Sequence, residues 1–201
     1  MGRCDRGPTA TRRDDHVSGM DHLPTPPPQR VSASRPACRV TYASPLLWVG
    51  EDTVAQMHEQ AEEHKPDETG GLLLGYWAND TEAVLTEVIG PGPDARHWPT
   101  GFAPDAAYQE ARLADEYERS GRRIEYLGDW HTHPGAAAVP SRNDKGTLRR
   151  IARDPEARCA RPFMLIMGER ERWQLTAWTV KPHWRWRLAV GPARLRAFEP
   201  V

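Results

Sequence analysis

The chain has 201 residues, 38% of them hydrophobic and 16 of them glycine, a composition that suits one folded domain with its own core. Mean hydropathy is −0.73 and no apolar run approaches the ~18 residues of a membrane-spanning helix, which excludes a helical membrane span. Formal net charge is −1, so there is no general attraction to nucleic acid or an anionic membrane. Three cysteines, Cys4, Cys38 and Cys159, form no CxxC pair and speak against a disulfide framework or a thiolate zinc finger. The first 30 residues lack an apolar signal-type stretch, and with this cysteine usage they predict a cytoplasmic protein.

Residues 1–36 read as a flexible tail, with Pro8, Pro24, Pro26, Pro27, Pro28 and Pro36 and almost no apolar periodicity. The domain is expected over residues 37–201. Arg39–Ala43 suits a short strand, and Glu51–His64 a helix with Val54, Met57 and Ala61 on one face. Glu68–Trp77 reads as a buried strand and Glu82–Ile89 as its hairpin partner. Pro91–Pro104 is a Pro/Gly-rich loop. A second helix is expected over Pro104–Ser120, with Pro104 in its first turn. A strand at Ile124–Trp130, a helix at Ser141–Arg153, and strands at Phe163–Gly168, Trp173–Val180 and Trp184–Val190 complete the order. Hairpins mixed with helical crossovers argue for an α/β (α+β) fold, a curved mixed sheet with flanking helices.

Chemistry concentrates in Gly128-Asp129-Trp130-His131-Thr132-His133-Pro134 and the following Ser141-Arg142-Asn143-Asp144. Histidines two apart on an extended chain point to one side, so His131 and His133 can reach one cation. Asp144, opening the next helix, can fold back with an oxygen. Two imidazoles and a carboxylate suit zinc and leave a fourth tetrahedral position open, as in catalytic sites. Chance places a His-x-His somewhere in such a chain about one time in three, but adds the Ser and Asp at these distances only about one time in a thousand.

The segment resembles the motif of JAMM (MPN-plus) metalloproteases, Glu…His-x-His-x7-Ser-x2-Asp: Pro134 to Pro140 separate His133 from Ser141, and two residues separate Ser141 from Asp144. The upstream acid stands in Glu68-Thr69-Gly70-Gly71-Leu72-Leu73-Leu74-Gly75, similar to that family's Glu-x-x-Gly-Leu-Leu-Leu-Gly. Tyr126–Pro134 is similar to the prokaryotic JAB branch, which includes deconjugating peptidases of CBASS-type antiphage operons. The resemblance covers roughly residues 38–190 and implies the JAB/MPN (cytidine-deaminase-like) fold. It implies one zinc per chain on His131, His133 and Asp144, with Glu68 moving a proton from attacking water to the leaving amine and Ser141 donating to the tetrahedral oxyanion. The implied activity is hydrolysis after the C-terminal glycine of a ubiquitin-like modifier or conjugated protein, with ubiquitin-activating- and ubiquitin-conjugating-like proteins and a nucleotide cyclase as partners.

Plainer roles compete at several positions. Ser141-x-x-Asp144 also fits a helix capping box, and a carboxylate bound to metal is less free to cap. Gly70 and Gly71 either relieve crowding or let a substrate tail approach the strand edge. Asp129 suits a carboxylate that orients a histidine from behind or a surface carboxylate equally. Trp98, with His97 and Phe102, lies where related enzymes carry a substrate-embracing insertion. The other tryptophans, including Trp173, Trp178, Trp184 and Trp186, read as core or dimer packing. His58, His64, His97 and His183 read as solvated or structural, because none has a partner at ligand spacing.

Other His-x-His folds fit poorly: Pro134-Gly135 replaces the Asp-His of metallo-β-lactamase-like hydrolases, barrel amidohydrolases need roughly 250 residues, and cupins have no place for the helix after Ser141. Rival functions are C-terminal processing of a sulfur-carrier precursor, a metal-free MPN scaffold, and an Arg-rich nucleic-acid module. The last lacks net positive charge and an aromatic–basic motif.

Overall fold

The computed structural model describes residues 44–183 and 187–198. The expected tail, the strand expected at Arg39–Ala43, and Trp184 and Trp186 lie outside the described residues. In chain order the elements are β1 (Leu46–Gly50), α1 (Glu51–His64), β2 (Gly70–Asn79), β3 (Glu82–Ile89), β4 (Arg96–Trp98), β5 (Gly101–Ala103), α2 (Ala106–Arg119), β6 (Glu125–His133), α3 (Arg142–Ile151), β7 (Phe163–Glu169), β8 (Trp173–His183), β9 (Arg187–Pro192) and β10 (Arg194–Phe198).

From α1 to β9 the expected elements are all present. Strands β1 and β10 were not anticipated, and the Pro/Gly-rich loop carries the small antiparallel hairpin β4–β5. Helix α2 begins later than expected. Pro104 stands outside it, because Asp105 is the N-cap and accepts the Tyr108 N–H at 3.0 Å. Helix α1 has no side-chain cap, but Glu51 and Asp52 in its first turn complement the helix dipole.

Among the described residues, eight strands form one mixed sheet in the order β10-β1-β3-β2-β6-β7-β8-β9. β1 runs parallel to β3 and β10, and β6 parallel to β7, while the remaining neighbours are antiparallel. A parallel pair needs a crossover, and α3 supplies it between β6 and β7. The C-terminal end of β6 and the N-terminus of α3 are therefore joined by one short loop.

Each sheet face buries its own cluster. On the first, Met57 and Ala61 of α1 pack with Trp130, Phe163, Leu165 and Met167. On the second, Leu148 of α3 packs with Met164, Ile166 and Val180. Strand β7, covered on both faces, is a continuous apolar run rather than an alternating one. Fully burying each of these large side chains contributes about 1.5–3 kcal/mol. The core reading of the tryptophans holds at Trp130, which is fully buried, and at Trp77, Trp173 and Trp178, which pack against the two clusters.

Candidate active site

The last four residues of β6 alternate across the sheet. Trp130 and Thr132 are buried in the interior, and His131 and His133 face the opposite side together. Thr132 ties this strand to the residue after Glu68. Its N–H donates to the Thr69 carbonyl at 2.8 Å, and its hydroxyl accepts the Thr69 N–H at 2.9 Å. Glu68 is thus fixed in sequence register beside the histidines, and all three line a cleft of about 830 Å³.

Ser141 N-caps α3 and forms a complete capping box. Its hydroxyl accepts the Asp144 N–H at 3.2 Å, and its own N–H donates to Asp144 Oδ2 at 2.6 Å. The same carboxylate approaches both imidazoles, with Oδ1 3.6 Å from His131 Nε2 and Oδ2 3.6 Å from His133 Nε2. The two Nε2 atoms are 3.0 Å apart. Asp144 thus completes the capping box while facing both imidazoles, since a carboxylate has enough lone pairs for both.

His131 Nε2 and His133 Nε2, 3.0 Å apart and each 3.6 Å from a different oxygen of Asp144, suit one divalent cation. Donors ~2.1 Å from a tetrahedral centre lie ~3.4 Å from one another. The second nitrogen of His133 is already committed. Nδ1 lies 3.3 Å from the Ala137 carbonyl, which can only accept, so Nδ1 carries the proton and Nε2 presents its lone pair. Gly168, opposite His133 on β7, makes that contact possible. A Cβ there would lie 2.2 Å from the Ala138 nitrogen and 2.5 Å from the Ala137 carbonyl carbon, so only glycine lets the loop lie against the strand. Nothing in the local sequence marks Gly168, because the loop it accommodates comes from elsewhere in the chain.

The two carboxylates of the cleft are driven in opposite directions. Burial pushes the Glu68 carboxyl up, Asp144 adds to this, and the two imidazoles only partly offset it. For Asp144 burial acts in the same sense, but the two imidazoles and the Ser141 contact outweigh it and hold the carboxyl well below its usual range. His133 is raised: burial opposes the charged ring, while Asp144 and the Ala137 carbonyl favour it more strongly.

The remaining candidates resolve unevenly. Gly71 pairs with Trp130 on β6, and a Cβ on it would lie 1.9 Å from the Ile89 carbonyl oxygen. A Cβ on Gly70 would lie 2.2 Å from the Trp130 carbonyl oxygen. Crowding inside the sheet accounts for both glycines, although Gly71 also lines the cleft. Trp98 is 42% exposed at the end of β4, and the next residues, Pro99–Phe102, line the cleft. Asp129 hydrogen-bonds the Tyr126 hydroxyl at 2.6 Å rather than a histidine. His97 has a role that sequence spacing did not signal: its Nδ1 donates to the Glu68 carbonyl at 2.9 Å.

Residues 50–181 match the family described as prokaryotic homologs of the JAB domain. The chain is 40% identical over 135 residues to a protein of Sinorhizobium fredii named probable metalloprotease y4qB, covering 66% of this chain and 82% of that one. It is 27% identical over 121 residues to a CD-NTase/cGAS isopeptidase of Enterobacter hormaechei (60% of this chain, 66% of that one). A second protein of that name, from Escherichia coli, is 31% identical over 108 residues (53% and 65%). The solution structure of protein DSY2949 from Desulfitobacterium hafniense shares the fold at a TM-score of 0.55 and 19% identity, over 77% of this chain and 94% of that one. With a match running from the end of β1 into β8, the chain belongs to the prokaryotic JAB family.

Proposed function

We propose that this protein is a zinc-dependent isopeptidase that hydrolyses the bond between a C-terminal glycine and a lysine ε-amine. The carrying observation is the convergence of His131, His133 and Asp144 at 3.0–3.6 Å in a cleft that Glu68 and Ser141 also line. A scaffold has no need of this donor set. Zinc held by these three side chains would supply Lewis acidity and lower the pKa of water to about 7.

The protein's own residues supply the rest. Glu68, raised by burial, takes the proton of the attacking water and passes it to the departing amine, which could not leave as an anion. The Ser141 hydroxyl accepts the Asp144 N–H through a lone pair, so its O–H remains available to donate to the tetrahedral oxyanion. Capping and oxyanion stabilisation are therefore compatible in one residue. The hairpin β4–β5, with Trp98 at its tip, and the Pro134–Pro140 segment, with Val139 54% exposed, border the cleft and suit an extended glycine-ending tail.

The relatives named CD-NTase/cGAS isopeptidase support a conjugated nucleotide cyclase as the substrate. The test uses two probes of one glycine-ending protein, joined either to a lysine ε-amine or in linear fusion to a following residue, with mass spectrometry of the products. Release from the lysine-linked probe, abolished by chelator, is expected. Cleavage of the linear fusion alone would favour maturation of a sulfur-carrier precursor, and cleavage of neither would contradict peptidase activity on glycine-ending chains.

A further inference from the structure

The hairpin β4–β5 does more than border the cleft, since it holds both backbone polar groups of Glu68. The Glu68 N–H donates to the Trp98 carbonyl at 3.0 Å, and the Glu68 carbonyl accepts from His97 Nδ1 at 2.9 Å. A carbonyl only accepts, so His97 carries its proton on Nδ1 in this contact. The ring is itself held. It lies 4.0 Å, centroid to centroid, from His64 at the end of α1, and stacks on Phe102 of β5 at 6.2 Å and 10°. His64 is fixed in turn by its Nδ1 donating to the Gln60 carbonyl at 2.9 Å. With both Nδ1 atoms spent on carbonyls, the pair is built as a support.

His97 is absent from the catalytic cleft and lines a separate hollow of about 770 Å³ between α1 and α2, together with Gln60, His64 and Tyr108. The ring therefore touches the residue that holds the proton without lining the space where substrate lies. Thr69 is clasped from the other side by Thr132, so two neighbouring residues are pinned between the histidine strand and the hairpin.

We infer that His97 is a positioning residue, whose Nδ1–H contact to the Glu68 main chain sets the placement of the Glu68 carboxylate and links it to the hairpin beside the substrate cleft. This rests on the reading of Glu68 as the proton carrier. A displacement of about 1 Å in such a group costs on the order of 100-fold in rate.

The experiment compares His97→Phe, which keeps an aromatic ring and removes the donor, with His97→Asn, whose amide nitrogen can reproduce the Nδ1 donor. Both are assayed as full-length, metal-loaded protein on the lysine-linked probe, with Glu68→Gln alongside. His97→Phe is expected to lower kcat by about 10- to 100-fold, with KM within about twofold and metal content unchanged. Hydrogen exchange of the Glu68 amide should quicken in the same variant. His97→Asn is expected to restore both. Should His97→Phe fail to fold, His97→Ala replaces it as the donor-less variant. If Glu68→Gln is inactive and the donor-less variant keeps wild-type kcat and amide protection, or if His97→Asn is as impaired as the donor-less variant, the positioning role is overturned. An active Glu68→Gln would instead remove the proton-carrier reading on which it rests.

Discussion

Glu68→Gln is expected to leave fold and metal content intact while lowering kcat by about 10²–10⁴-fold on the lysine-linked probe. The substitution is nearly isosteric, and both main-chain contacts of Glu68 survive it. What disappears is the ability to take and return a proton. The physical basis is the divergence of two carboxylates in one cleft, where burial lifts Glu68 and the imidazoles hold Asp144 down. Groups pushed apart in this way divide the labour, with the raised one suited to proton transfer and the lowered one to permanent negative charge. Steady-state kinetics paired with elemental analysis checks the prediction, and turnover near wild type would remove Glu68 from the chemistry.

Ser141→Ala is expected to lower kcat by about 10²–10³-fold, the usual effect of losing one oxyanion donor. The same substitution removes an N-cap and should lower stability by about 1 kcal/mol. These outcomes separate the two roles of one hydroxyl. Asp144 keeps the Ser141 backbone N–H at 2.6 Å whatever the side chain, so metal content should not change. A stability loss with kcat nearly unchanged would leave Ser141 as a cap alone.

The metal candidates were legible in the sequence because they lie within Asp129–Asp144, where strand periodicity decides what His131 and His133 share and helix-start chemistry decides where Asp144 turns. Helix α1 was legible for the same local reason, its apolar residues recurring on one face. Glu68 was legible only through resemblance, because its proximity depends on β2 pairing with β6 across the sheet. Gly168 was not legible at all, and His97 only as one of four histidines read as solvated or structural, without its partner. Each is defined by a contact with a distant segment, the Ala137–Ala138 backbone in one case and the Glu68 carbonyl in the other. Strand β10 escaped notice because it is a five-residue edge strand whose alternation, with Arg194 and Arg196 exposed on either side of Leu195, breaks at the exposed Ala197. The tryptophans divided as burial dictates, Trp130 in the core and Trp98 at the surface.

The zinc content of untagged protein purified without added metal tests the metallopeptidase assignment most directly. About one zinc per chain is expected, lost together with activity in His131→Ala and His133→Ala, because either change removes one of three converging donors. Well-folded protein that takes up no zinc, even after incubation with it, would contradict the metallopeptidase reading and leave the fold as a scaffold.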